Sequence, residues 1–379
     1  MGRKIRVLEM IDEATLGGGQ MHVLSLVKHI DPDSFEVLVA CEGNGFLVDE
    51  TRKLGKTVLP VAMENRLSFR TMWDVVRTLR LAQCDILHTH GGTSGFWGRV
   101  GVLFGGFRMK TVHTYHGFHY LHDSSNRSKL LQRIDRWLLR HTDRVICVCQ
   151  SDYKRGIEYG LVDAASSATI HNGIEVEKFR FTGDRDAVRQ SLGVRPTDFL
   201  FGNIGRLHKQ KGQEFLLDAF RTVVRRHPHS RLVIVGEGDQ YETLQRKSKE
   251  AGIDSAVVFA GSRSDVSQLL AAIDVFVLSS LWEGQPISLL EAMAAGKPIV
   301  STDVDGISDI LVDRKNALLV PPGNEEELSR AMCTMIEDEE KRRELAHAAR
   351  ATISESYTAR AMADEISVLY RNLTSSIPL

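Results

Sequence analysis

The chain has 379 residues, enough for two domains with full cores. Its 42% apolar and 26% charged residues exclude a disordered chain. The formal net charge of −1, with neither half strongly basic, excludes a nucleic-acid binder.

The apolar start is interrupted by Glu9 and Asp12, so no signal peptide is expected, and Arg6 removes a myristoylation signal at Gly2. No apolar run reaches the roughly eighteen residues of a membrane helix. Strand-like segments follow at Ile5–Ile11, Phe35–Cys41, Thr57–Leu59, Ile86–Thr89, Lys110–Tyr115, Arg144–Val148 and Ser167–Ile170. Helical segments alternate with them, which predicts an α/β architecture with parallel sheets. The first strand runs into Gly17-Gly18-Gly19 and then a helix. This is either a tight turn that needs glycine or a loop that approaches phosphate at a helix N-terminus. It is not the dinucleotide G-x-G-x-x-G pattern, and neither is Gly236-Glu237-Gly238.

Histidines crowd this half. His88 and His90 precede Gly91-Gly92, and His113, His116, His119 and His122 recur every third residue. Along a strand that spacing does not put the rings on one face, so a metal cluster is not expected. His116-Gly117 falls at the carboxyl end of a strand, where open α/β sheets bind ligands. Over Arg127–His141 a helix is predicted with Lys129, Arg133, Arg136 and Arg140 on one face and Leu130, Leu131, Ile134, Trp137 and Leu138 on the other. The basic face is either solvated or turned to anionic lipid head groups. The five cysteines form no disulfide framework and read as buried thiols of a cytoplasmic protein.

An irregular stretch, Glu175–Thr197, reads as an interdomain connection around one short helix near Asp186–Ser191. Alternation then resumes: strand Phe199–Ile204, helix Gln213–His227, strand Arg231–Val235, helix Gln240–Ala251, strand Val257–Ala260 and helix Val266–Ala272. After the first of these strands, Arg206 and Lys211 are either solvated cations or a pair converging on a diphosphate. A buried strand, Asp274–Ser280, ends just before Glu283. A short helix begins near Pro286, holds Glu291 and closes at Gly296 before the strand Lys297–Thr302. Its N-terminus suits an anion, and a carboxylate on either side suits hydroxyls. That combination describes a nucleotide-sugar. Asp-x-Asp pairs occur at Asp31/Asp33, Asp184/Asp186 and Asp303/Asp305, but no further oxygen ligands converge nearby, so no metal site is expected. The last segment, Ala359–Asn372, is an amphipathic helix.

Strand, Ser-Ser, Glu-Gly-x-Pro, a helix with a second Glu, then Ala-Ala-Gly-Lys-Pro-Ile-Val: the run resembles the family-4 retaining glycosyltransferases of GT-B fold. Gly-Arg-Leu-x-x-x-Lys-Gly at residues 205–212 and Thr114-Tyr115-His116-Gly117 extend the likeness. The resemblance implies two Rossmann-like doubly wound parallel-sheet domains with an interdomain cleft. An N-terminal acceptor-side domain would span 1–174 and a donor-binding domain 175–358, with the helix at 359–379 packing back on the first. It implies His116, Glu283, Arg206 and Lys211 as the catalytic set. Gly18, Gly19, Arg206, Lys211, Arg263, Gly284, Gln285, Pro286, Ile287 and Glu291 would hold the donor. It further implies transfer from a nucleotide-sugar, a UDP-sugar foremost, without metal or other cofactor. The acceptor would be a glycan or lipid-linked hydroxyl in cell-envelope or polysaccharide synthesis. The protein would be cytoplasmic, with peripheral contact to the inner membrane face through Lys129, Arg133, Arg136 and Arg140. The alternatives are a nucleotide-sugar epimerase of the same fold and a non-catalytic scaffold.

Overall fold

The computed structural model describes residues 3–63, 68–123, 125–180, 183–353 and 355–375. Gly2, two residues of the predicted connection (181 and 182) and the terminal 376–379 lie outside them. The chain forms two compact units, Met1–Gly173 with Ser356–Leu379, and Ile174–Glu355.

In the first unit, β1 (Ile5–Ile11), α1 (Gly18–His29), β2 (Phe35–Cys41), α2 (Phe46–Lys53), β3 (Thr57–Pro60), α3 (Phe69–Ala82), β4 (Ile86–His90), α4 (Gly92–Gly105), β5 (Lys110–Tyr115), α5 (Asn126–Leu139), β6 (Arg144–Cys147), α6 (Gln150–Glu158) and β7 (Ser167–Thr169) follow in turn. All the strands are parallel, in the order β3-β2-β1-β4-β5-β6-β7. The strands are Val/Ile/Leu-rich because helices cover both faces. Ser68 and Ser125 start α3 and α5 by accepting hydrogen bonds from the Thr71 and Ser128 amides.

The second unit holds α7 (Arg185–Ser191), β8 (Phe199–Ile204), α8 (Gln213–Arg226), β9 (Ser230–Val235), α9 (Tyr241–Glu250), β10 (Val257–Gly261), α10 (Val266–Ala272), β11 (Val275–Leu278), α11 (Ile287–Ala294), β12 (Ile299–Thr302), β13 (Leu318–Val320), α12 (Glu325–Glu337) and α13 (Glu339–Thr352). Its parallel sheet runs β10-β9-β8-β11-β12-β13. The last helix, α14 (Ala359–Thr374), belongs to the first unit and packs on α1, burying Met362, Ala363, Ile366, Tyr370 and Leu373.

In each sheet the strand order reverses at one point, between β1 and β4 in the first and between β8 and β11 in the second. The crevice beyond the carboxyl ends of the strands at such a reversal is where doubly wound folds bind ligands.

Several sequence expectations change in detail. The strand predicted over Asp274–Ser280 is shorter, Val275–Leu278, because Ser279 and Ser280 turn their hydroxyls to loop partners. On α5 the expected two-faced pattern fails: Leu130 and Trp137 are exposed and Asp135 is buried. Asp135 lies inside because the buried Arg99 of α4 donates to it at 3.1 Å and Tyr120 at 2.7 Å. Two of the Asp-x-Asp pairs are local turn devices. Asp184 caps α7 through the Asp186 and Ala187 amides, and Asp31 accepts from the Asp33 amide and the Ser34 hydroxyl.

Candidate active site

The second unit gathers most of the predicted residues at its strand reversal. Lys211 follows β8, and its ammonium makes an ion pair with Glu283, which follows β11. Ser280 donates to the same carboxylate at 2.7 Å and Gln210 at 3.3 Å. The two loops are stitched along their backbones as well. Leu281 N donates to Gln210 O at 2.7 Å, Ser279 Oγ to Lys211 O at 2.8 Å, and Gln210 Nε2 to Trp282 O at 3.0 Å. Glu283 is buried, so three donors are what permit a carboxylate there.

Two glycines make this loop contact close. Gly212 has φ +60, and a Cβ on it would collide with Ser279 O. Gly306 has φ +75, and a Cβ on it would collide with Gly284 O. Both positions need the left-handed backbone that only glycine adopts without strain.

From Glu283 the chain enters α11 through Gly284, Gln285 and Pro286, all buried. Pro286 is the N-cap, and Ile287 opens the helix. No side chain caps that end, so its amide dipoles face outward as at an anion site. One turn on, Glu291 is buried and its carboxyl has no hydrogen-bond partner among the described residues. Burial pushes its pKa up to about 8, against a smaller opposing pull from Lys178.

Arg206 differs from Lys211. Its side chain is exposed and has no ion-pair partner among the described residues, although its backbone carbonyl accepts from Gln213 at 3.0 Å. The stem of Lys211 lies over Gly205, the residue before Arg206. The two cations therefore belong to one loop, one paired and one free. Arg263, expected beside the base, is engaged in a two-pronged pair with Asp265, at 2.7 and 2.6 Å.

The first unit has its own cluster at the β1/β4 reversal. In-register pairing sets Glu9 beside His88 and His90 beside Thr114, so these share a face that α1 and α14 cover. The run His113, His116, His119 and His122 does not gather on one face, as its spacing predicts; the histidines that converge come from different elements, His22 of α1, His90 at the end of β4 and His116 after β5. His22, His90 and His116 each bring a ring nitrogen within 4.8 Å of the others. His113, one strand face away, lies against Gly95 of α4 instead. Gly19 packs beside His116: a Cβ there would stand 3.8 Å from the ring. Gly18 begins α1, with Gly17 as its N-cap.

Glu9, His22 and Tyr370 escaped the sequence reading as site residues, and His90 entered it only as one of the crowded histidines. Glu9 and His22 sit in segments that read as ordinary strand and helix, and Tyr370 lies 361 positions from Glu9. The one available signal was a charged residue inside an apolar strand, which demands a buried partner.

Residues 184–352 match the family model for glycosyl transferases group 1, and residues 16–178 match that for glycosyltransferase family 4. The putative glycosyltransferase EpsD of Bacillus subtilis (strain 168) is 30% identical over 342 residues, covering 87% of this chain and 88% of that one. The chain is a family-4 glycosyltransferase. The UDP-Gal:alpha-D-GlcNAc-diphosphoundecaprenol alpha-1,3-galactosyltransferase of Escherichia coli is 26% identical to this glycosyltransferase over 347 residues, covering 88% and 89% of the two chains. The crystal structure of Anabaena Alr3699/HepE in complex with UDP and glucose shares its GT-B fold. There the TM-score is 0.84 at 23% identity, over 98% of this chain and all of the other.

Proposed function

We propose that this glycosyltransferase moves a hexosyl group from a UDP-sugar to a hydroxyl of a glycan or lipid-linked acceptor in cell-envelope polysaccharide synthesis. The transfer retains anomeric configuration and needs no metal ion. The observation that carries the reading is the Lys211–Glu283 pair set beside Arg206 and the uncapped start of α11. Breaking the sugar–phosphate bond leaves charge on the nucleoside diphosphate. The Arg206 and Lys211 cations and the amide N–H groups of Gly284, Gln285 and Ile287 are positive groups that would stabilise such charge as it develops.

The ion pair suggests how binding proceeds. Without donor, Lys211 neutralises the buried Glu283. An arriving diphosphate takes a share of the ammonium, and Glu283 turns its freed lone pairs to sugar hydroxyls. Glu291 holds the ribose hydroxyls, Arg263 lies where the base is bound, and Gly18 and Gly19 approach the phosphates. His116 hydrogen-bonds the transferred sugar. Retention follows from same-face attack by the acceptor hydroxyl as the diphosphate leaves. Support for uridine comes from the UDP named with the Anabaena protein and the UDP-Gal in the name of the Escherichia coli relative. The latter's diphosphoundecaprenol acceptor supports a lipid-linked one here.

The membrane contact proposed is peripheral; no helix of the described residues is long and apolar enough to cross a bilayer. Lys129, Arg133, Arg136 and Arg140 are exposed on α5 together with Leu130 and Trp137. Phe69 and Trp73 of α3 are 95% and 67% exposed, a more apolar face than α5 offers.

The test is a thermal-shift screen of UDP-, GDP- and ADP-sugars on the full chain, followed by product analysis in the presence of EDTA. UDP-sugars should stabilise the protein most, and the product should keep the donor's anomeric configuration with chelator present. An inverted product, or activity abolished by EDTA and restored by a divalent ion, would refute the corresponding part. Epimer formation from donor alone would support the epimerase reading instead.

A further inference from the structure

The cluster in the first unit reads as a chain of hydrogen bonds whose directions are fixed. We propose that Glu9 and His90 are positioning residues that hold His116 in the tautomer protonated at Nε2, so that its Nδ1 accepts a hydrogen bond from a hydroxyl of the bound sugar. This rests on the reading that His116 touches the sugar.

The directions follow from donors and acceptors alone. Glu9 is fully buried, and its carboxylate receives the Tyr370 hydroxyl at 2.7 Å and His90 Nε2 at 2.7 Å, with His88 Nδ1 at 3.2 Å. Burial by itself would raise its pKa, but the contacts with His88 and His90 outweigh that and keep it ionised. An ionised carboxylate only accepts, so His90 Nε2 carries the proton. Burial, aided by His88, lowers the His90 pKa to about 4 despite Glu9, so the ring is neutral and its Nδ1 is a bare lone pair.

His116 Nε2 lies 3.3 Å from that lone pair. Two lone pairs at this separation repel, whereas an N–H on His116 Nε2 makes a long hydrogen bond. His116 is itself kept neutral, chiefly by burial and then by His22, so a proton on Nε2 leaves Nδ1 unprotonated. That nitrogen has no partner among the described residues and belongs to a ring that is only partly buried. His22 does not compete for it. Its Nδ1 lies 2.8 Å from Asn172 Oδ1, an acceptor, so its proton is on Nδ1 and its buried Nε2 has nothing to donate. His22 instead backs the His116 ring edge-on, with centroids 4.9 Å apart.

Long-range 1H–15N spectra of the full chain labelled with 15N-histidine test this directly. His90 and His116 should both appear as neutral Nε2–H tautomers. In Glu9→Gln the amide can donate to His90 Nε2, which releases the constraint. His116 should then become a tautomer mixture, and kcat/KM should fall about tenfold, the scale of one hydrogen bond. Tyr370→Phe removes a different donor from Glu9 and should leave both tautomers in place. A wild-type His116 protonated at Nδ1 overturns the proposal, and this spectrum decides even if Glu9→Gln fails to fold. Equal tautomer shifts in Glu9→Gln and Tyr370→Phe would also overturn it, because packing would then be the cause. If His116→Ala keeps full kcat/KM while the wild-type tautomers are as expected, the sugar-contact reading falls and the hydrogen-bond chain stands.

Discussion

Lys211 does two jobs that a single substitution separates from bulk stability. It neutralises Glu283 in the free protein and, on our reading, stabilises the leaving diphosphate. Lys211→Ala should lower kcat about 100-fold or more, the usual scale for removing one donor to a developing anion. Steady-state kinetics with saturating donor reads this, and an unchanged kcat would refute the assignment. Glu291 is a different case. Its folded pKa of about 8 lies above the unfolded carboxylate value, so folding takes up a proton between roughly pH 4.5 and 8. That contribution to stability is complete below pH 4.5 and is lost as pH rises toward 8. Glu291→Gln should therefore gain melting temperature relative to wild type on going from pH 5 to pH 8. Parallel melting curves would show that the carboxyl is not desolvated. The ribose role adds a second sign: UDP affinity should rise through pH 8 in wild type, as the carboxylate forms, and stay flat in Glu291→Gln. That Lys211 and Glu283 follow strands and that Glu291 lies inside a short helix was legible in the sequence, from the apolar runs and the Pro and Gly punctuation around them. The Lys211–Glu283 pair was not, because it joins residues 72 positions apart.

At the scale of elements, the glycine at 306 matters more than its local sequence suggests. It sits in Asp305-Gly306-Ile307, which reads as a plain turn. In the fold its missing side chain is what lets the loop after β12 close on the Gly284 carbonyl, just before α11. Gly306→Ala should push Glu283–Pro286 off the start of α11. Donor affinity should drop, and stability should fall by about 1–3 kcal/mol from backbone strain and displacement. Gly252→Ala is the control: φ there is +68, but nothing lies within 4 Å of the added Cβ. It carries backbone strain alone, so its melting temperature falls while donor affinity stays at the wild-type level. Calorimetric titration with UDP on both variants separates strain from loop displacement, and equal affinities would refute the loop argument. The amphipathic reading of α5 failed for a related reason. Periodicity assigns Leu130 and Trp137 to an inner face, but Arg99 of α4 draws Asp135 inward and fixes the helix rotation.

For the whole molecule, alternating strands and helices were enough to give two parallel sheets, because a strand buried on both faces and a helix with one apolar stripe leave distinct patterns. The strand order was not written in that alternation. It comes from the right-handed crossovers, which wind each sheet in two directions from one reversal point and so put functional loops there. Surface chemistry was the least legible part, since a sequence pattern cannot tell an exposed aromatic from a buried one. Phe69 and Trp73 are one helical turn apart on α3, with Arg70 and Arg77 also exposed on that helix. On α5, Lys129 and Arg133 are exposed beside Leu130, and α4 packs between the two helices. Apolar side chains supply insertion energy, and the cations supply attraction to anionic lipid. If this face meets a membrane, the full chain should co-sediment with phosphatidylglycerol vesicles and far less with phosphatidylcholine ones. Phe69→Ser/Trp73→Ser should weaken binding at every salt concentration, because it removes buried apolar area. Lys129→Glu/Arg133→Glu should weaken it at low salt and converge with wild type as salt screens the attraction. Equal sedimentation of all three proteins with anionic vesicles would show that this face is simply solvated.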